Sequence, residues 1–468
     1  MRQVHILAKA LLLTGISFLI GACTNDFIDE ELVQEPQIIE STKHTIPMTF
    51  VGNVVGFDQQ SGQSKVRGVA QATSSWKDGD KVFLTFYNGS TVIPGVATYS
   101  SSSGWSVTYD GNLEKGNGLR CEARHFVNFE SSGASLIYLN ANSEIYEDAN
   151  GKYDYVDGSL TVQATMSPKT GRVRFTGKSG ETIFVRGFSY YNTYSTDQNT
   201  FTTSNALIKT AVSSNGSTPY IYATFAETDK TIGLISSTSA FTRTCSADML
   251  KTGDSGYMAV PTESAHGNWR SGLYVKASGV EFKMIPVAGH TDGFFLIGET
   301  EVTEALYNTV NGTASTSTLP VSNISFPAIL TYLEKINNVT NLNFFLPSSE
   351  QWKYAYMGGN QSKGYTYSGS NNPGDVAWYA ANASSKQKVK TKAPNELGIY
   401  DMSGNVSEFT STTYKSGSYT CATYYGGNYT SDEAHLKATN YYYFGSYNYT
   451  STSVKGAHIG FRLMLTCE

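Results

Sequence analysis

The chain has 468 residues, 40% hydrophobic and 16% charged, with a formal net charge of −5. That is too long for one ordinary core; at roughly 150 residues per domain it corresponds to about three. The slight acidic excess excludes an electrostatic footprint for nucleic acid, and 32 Tyr, 23 Phe and 44 Gly favour turn-rich β-structure over a helical protein.

Residues 1–22 read as a targeting segment. Arg2 and Lys9 supply positive charge, and residues 10–20 form an apolar run too short for a comfortable transmembrane helix. Ile20-Gly21-Ala22-Cys23 then resembles a bacterial lipobox, which implies cleavage before Cys23, lipidation of Cys23 and a lipid anchor in the outer membrane. A plain signal peptide with a chance cysteine is the other reading. Residues 23–43 form an acidic tether; Asp26, Asp29, Glu30 and Glu31 resemble the surface-export signal of Bacteroidetes lipoproteins.

A first β unit is expected over 44–158. Residues 45–56 are a strand candidate, 58–65 a polar loop, and Arg67 follows. Trp76-Lys77-Asp78-Gly79-Asp80-Lys81 turns into an alternating run at 82–87, and short strand candidates recur at 96–99, 105–109, 119–129 and 135–139. A second unit, over 159–283, alternates at 172–175, 182–185 and 221–225 and closes at 257–261 and 273–275. Such spacing predicts sandwiches. The pattern, with the 76–81 segment behind an early Arg, resembles the fimbrillin family, pilin-like lipoproteins with two all-β, transthyretin-like sandwiches. The resemblance implies cleavage after Arg67, which frees the groove behind the first strand. Other fimbrillin subunits would then partner the chain by donor-strand insertion. An ordinary exposed Arg67 is the alternative.

From residue 284 helical signals enter. Thr303 is a candidate N-cap, Ser325 could cap a helix with Ile329, Leu330, Leu333 and Ile336 on one face, and Ser348 with Gln351 forms a capping box ended by Gly358. Around these stand Leu346-Pro347, the block 375–379, Asn395-Glu396-Leu397-Gly398, Asp401-Met402-Ser403-Gly404-Asn405-Val406-Ser407-Glu408, Gly426-Gly427 and Gly460-Phe461-Arg462. In this order they resemble the formylglycine-generating-enzyme (sulfatase-modifying factor) family over 284–468. The resemblance implies a final α+β domain of C-type-lectin-like fold. Ser407 and Phe409 stand where that family usually has tryptophans. Its copper-binding cysteines fall at Ser431 and Leu436, neither of which is a soft ligand, so no copper and no enzyme are expected. A divergent enzyme of that type remains the remote alternative. The resemblance also implies a structural Ca²⁺ site at Asp401, Gly404, Val406 and Glu408, with oxygen ligands only; turns and caps without metal are equally open.

Besides Cys23, the cysteines are Cys121, Cys245, Cys421 and Cys467, which allow three pairings. A Cys421–Cys467 bridge and free buried thiols are both open. Residues 428–456 are crowded with Tyr, Asn, Ser and Thr, a composition suited to adaptable binding surfaces. The stretch, followed by Ile459-Gly460-Phe461-Arg462, resembles the variable proteins of diversity-generating retroelements. Tyr441, Tyr442, Tyr443, Tyr447 and Tyr449 are therefore expected to face a glycan or protein ligand; ordinary strand tyrosines are the alternative. With residues 463–468 taken up by the lectin-like fold, no donor strand is left over. The expected function is a pilus (fimbria) tip adhesin at the cell surface, with a non-polymerising surface lipoprotein as the rival.

Overall fold

The computed structural model describes residues 43–55, 72–73, 76–131, 135–226, 228–246, 250–262, 267–444, 447–452 and 455–467. Cys23, the targeting segment, most of the tether and Arg67 lie outside the described residues.

The first eleven strands are β1 (Lys43–Val55), β2 (Ala72–Thr73), β3 (Lys81–Asn88), β4 (Thr91–Ser100), β5 (Gly104–Asp110), β6 (Gly116–Val127), β7 (Glu130–Ser131), β8 (Leu136–Tyr138), β9 (Glu144–Asp148), β10 (Lys152–Val156) and β11 (Ser159–Pro168). Nine of them form one sheet, β10-β11-β9-β6-β3-β4-β5-β1-β2. A further β11–β1 pairing closes that sheet into a barrel, so β1 is hydrogen-bonded on both edges. It runs antiparallel to β5 from Lys43↔Asp110 to Met48↔Trp105, and parallel to β11 from Met48↔Leu160 to Val54↔Met166. Its inward side chains line the core: Met48 and Val54 are buried, and Ile46 and Phe50 are half-buried against it. The Trp76 segment braces it. Gly79 supplies a left-handed turn (φ 85°), Asp80 accepts from the Lys77 amide at 2.8 Å, and the Trp76 ring stands edge-on to Phe50 at 5.8 Å.

The second module adds β12 (Gly171–Thr176), β13 (Thr182–Arg186), β14 (Phe188–Ser195), β15 (Thr200–Ser204), β16 (Ile208–Ala211), β17 (Ile221–Phe225), β18 (Thr231–Ile235), β19 (Ala240–Thr244), β20 (Ser255–Ala259) and β21 (Arg270–Ser271). Its sheets, β20-β12-β17-β14-β8-β7 (with β15 on β14) and β16-β13-β18-β19-β21, enclose Val173, Phe175, Val185, Ile221, Leu234 and Phe241. Burial on both faces of β3 follows from this neighbour: Phe83 packs with Phe126, Ile137, Leu139 and Tyr194, across the junction of the modules. A buried polar network crosses the same junction. Arg124 Nη1 donates to Tyr194 Oη at 3.0 Å and Asn199 Nδ2 to Glu122 Oε2 at 3.0 Å. Burial pushes the Glu122 carboxyl up, but donors from Asn199, Tyr87 and Arg124, with the guanidinium charge, outweigh it and hold it down at about 2.

The third module carries β22 (Leu273–Ala277), β23 (Val280–Val287), β24 (Phe295–Gly298), β25 (Phe344–Phe345), β26 (Ser407–Ser416), β27 (Tyr419–Tyr425), β28 (Tyr442–Tyr443), β29 (Ile459–Phe461) and β30 (Met464–Leu465). Its helices are α1 (Glu304–Val310), α2 (Phe326–Thr340), α3 (Ser349–Tyr356) and α4 (Pro373–Val376). The strands form the sheets β22-β23-β24-β30-β25 and β28-β27-β26-β29. Thr303 and Ser325 cap α1 and α2 with side-chain oxygens, and the Ser348–Gln351 box starts α3. Ile329, Leu333 and Ile336 face the core, whereas Leu330 is exposed, because spacings of four and three residues keep one face and a step of one leaves it.

Sheet membership shifts the expected boundaries. β11 belongs to the first module, β7 and β8 to the second, and β22 opens the third. The second and third modules share a core in which Ile235 and Ala240 join Leu273, Val275 and Leu296. Contact is so close at Gly233 that a Cβ there would lie 2.5 Å from Leu273 Cδ1.

Candidate functional site: a tyrosine surface on a buried ionic scaffold

The Asp401–Glu408 block and Arg462 meet inside the third module. Arg462 is fully buried, and its Nε and Nη2 hold the Glu408 carboxylate at 3.0 and 2.6 Å. Its Nη1 and Nη2 also donate to the carbonyls of Gly298 and Tyr400, at 2.9 and 2.8 Å. The α3 residue Trp352 donates Nε1–H to Glu408 Oε2 at 2.6 Å. Glu301, also buried, accepts from the Val406 amide at 2.9 Å and from Asn405 Nδ2 at 2.8 Å. The chain turns here through left-handed residues: Asp401 (φ 60°), Gly404 (81°) and Asn405 (56°). Only glycine fits at 404, where a Cβ would lie 2.3 Å from the Trp378 carbonyl oxygen.

Burial dominates the electrostatics. It lifts the Glu301 carboxyl well above the usual range, helped by repulsion from Asp401 and Glu408. It also pushes Asp401 up to about 6, against the Lys390 amide that bonds Asp401 Oδ2 at 2.7 Å. Burial alone would lower Arg462, but the charge and hydrogen bonds of Glu408 raise it.

Of the expected Ca²⁺ ligands, the Glu408 carboxylate is already engaged. Both its oxygens are taken by the guanidinium and the indole. Among the described residues no group of three His, Cys, Asp or Glu is placed to hold a metal. The signature block forms an internal ionic lock between Glu408 and Arg462. Of the two positions matched to copper-binding cysteines, Leu436 is buried with Tyr367, Val376 and Tyr379, and Ser431 Oγ accepts from the Asn428 amide at 3.0 Å. No disulfide joins the described cysteines, so Cys421 and Cys467 are not bridged.

The five expected binding tyrosines separate. Strand β28 pairs with β27 through Thr423↔Tyr443 and Tyr424↔Tyr442, so successive tyrosines take opposite faces. Tyr441 and Tyr443 join Tyr414 and Tyr425 on one face. Tyr414–Tyr443 centroids are 4.4 Å apart, Tyr414–Tyr441 5.9 Å, Tyr425–Tyr441 6.0 Å and Tyr441–Tyr443 6.2 Å. Lys353, ion-paired with Glu350 at 3.0 Å, sits 5.5 Å from the Tyr425 ring at one end of this strip. Tyr442 lies on the opposite face, stacked on His435 at 5.2 Å. Tyr447 is exposed, while Tyr449 turns inward, edge-on to Phe326 at 5.7 Å. Sequence reasoning missed Tyr414, Tyr425 and Lys353. Their only local signal was an aromatic at the end of a Thr-rich strand; what unites them is the sheet register.

Residues 273–467 match the family of the sulfatase-modifying factor enzyme 1-like domain, so the third module is of that type. A 92-residue stretch is 44% identical to a protein of Paenibacillus barcinonensis described as chaperone protein LppX, covering 16% of this chain. The chain spans 32% of that relative's length. Treponema denticola variable protein 1 is 22% identical over 41% of this chain and 98% of its own, with a TM-score of 0.36. PvdO from Pseudomonas aeruginosa is 14% identical over 42% and 98%, with a TM-score of 0.32. A fimbrial protein from Bacteroides ovatus is 8% identical over 63% and 71%, with a TM-score of 0.26.

Proposed function

We propose that the chain is a surface adhesin at the tip of a pilus, assembled by β-strand addition at the outer membrane and binding its ligand through the Tyr414–Tyr441–Tyr443 strip. The observation that carries the assembly half is the seat of β1. This strand is held on both edges by backbone hydrogen bonds and lays Ile46, Met48, Phe50 and Val54 along the core. Backbone pairing is indifferent to sequence, so another subunit's strand with apolar residues at these positions can replace β1. Among the described residues no helix is long and apolar enough to cross a membrane; the anchor proposed is the lipid on Cys23, on the strength of the Ile20-Gly21-Ala22-Cys23 motif.

Binding rather than catalysis is favoured by the strip itself. Tyrosine presents a large amphipathic contact at low entropic cost, and the exposed rings at 414 and 441 offer it. The test is strand exchange. Cleave the protein with an Arg-specific protease, add a labelled peptide of residues 43–55 in excess, and follow its incorporation. Stable incorporation only after cleavage at Arg67 agrees with the proposal. No cleavage there, or release of β1 with unfolding, favours the non-polymerising surface lipoprotein instead.

A further inference from the structure

The second module carries a cation, Arg174, that no side chain neutralises among the described residues. On β12, Val173 and Phe175 point into the core, and Arg172 and Arg174 occupy the other face. Register places Arg174 beside Tyr257 of β20, and Arg172 beside Tyr222 of β17. The Arg174 guanidinium carbon lies 4.9 Å from the Tyr220 ring centroid and 4.7 Å from that of Tyr257, whose hydroxyls bond each other. Arg172 is anchored, with Nε donating to Ser255 Oγ at 2.7 Å. Arg174 has no hydrogen bond or ion pair among the described residues, and its Nε is buried without a partner. The nearby carboxylate of Glu144 is taken by the hydroxyls of Tyr222 and Tyr146.

Two aromatic rings fix the guanidinium plane, and its two terminal nitrogens are neither bonded nor sealed. That fork matches a carboxylate in two-point geometry. We propose that this niche binds a carboxylated sugar. The sugar class follows from Tyr257, which is 37% exposed, so part of its ring stands open beside the guanidinium that lies over it. A pyranose can lay its C–H face there while its carboxylate meets Arg174; an acidic peptide side chain has no such face. The site is on a different module from the tyrosine strip and does not depend on it.

The test is calorimetric titration of the whole chain with a glucuronic-acid-containing tetrasaccharide and with its carboxyl-reduced counterpart. Saturable binding of the acidic sugar alone is expected. Arg174→Ala and Arg174→Gln should each weaken it about tenfold or more, with unchanged thermal unfolding. Arg174→Lys should not restore it, because an ammonium lacks the fork. Tyr257→Ala should weaken it, and Tyr443→Ala should leave it unchanged. Equal binding of both sugars, no binding of either, or wild-type affinity in both Arg174 variants overturns the proposal. A hexaglutamate peptide bound as tightly as the sugar overturns the sugar class.

Discussion

Replacing Arg462 with methionine probes the internal lock. The side chain keeps comparable bulk and loses its charge. The change removes the three hydrogen bonds to Glu408 and strands the Gly298 and Tyr400 carbonyls. Glu301, Asp401 and Glu408 are then left in one buried region with no cation facing them. Breaking a buried pair from one side typically costs about 3–5 kcal/mol. For a unit of about 200 residues that corresponds to a fall of roughly 6–20 °C in Tm. Fluorescence-monitored thermal unfolding suits the measurement, because the Trp352 indole bonds Glu408 directly. The double variant Arg462→Met/Glu408→Gln should recover part of the loss, since it also deletes the stranded charge. A single variant within about 1 kcal/mol of wild type would refute the reasoning, because so small a loss is what an exposed pair gives.

Other outcomes follow from the same geometry. Asp401 has a folded value of about 6, above the ordinary aspartate value, so its contribution is fully present below about pH 4 and is lost as pH rises through 6. Asp401→Asn should therefore gain on wild type by about 2–3 kcal/mol between pH 4 and 7.5 in denaturant titrations, less if the Lys390 amide loses strength. Tyr443→Ala should weaken ligand binding about tenfold without lowering Tm, whereas Tyr449→Ala should lower Tm through its lost packing on Phe326; surface plasmon resonance and melting curves separate them. At Gly52 a Cβ would lie 1.7 Å from the Ala164 carbonyl oxygen. Gly52→Val should push β1 off β11 at a cost of about 1–3 kcal/mol, read as faster hydrogen exchange of the β11 amides.

The third module was the most legible part of the chain, because its caps and signature blocks are contiguous. Ser348, Gln351 and Gly358 act within one helical turn of their targets. The partners inside the lock were not legible: Glu408 meets Arg462 across 54 residues and Glu301 meets Val406 across 105. Alternating strands were visible in the first module, but not the closure of its sheet, since the parallel β1–β11 pairing leaves no local trace. The faces of the tyrosine stretch were not legible for a related reason. Tyrosine suits both faces of a strand, so only the β27–β28 register shows that Tyr441 and Tyr443 share a face while Tyr449 packs inward.

Immunogold microscopy of intact source cells, with antibody raised against residues 273–467, tests the tip-adhesin account most directly. The account predicts gold at the free ends of filaments. Gold along the shafts would contradict the terminal position, and gold spread over the outer membrane away from any filament would contradict assembly into a pilus at all.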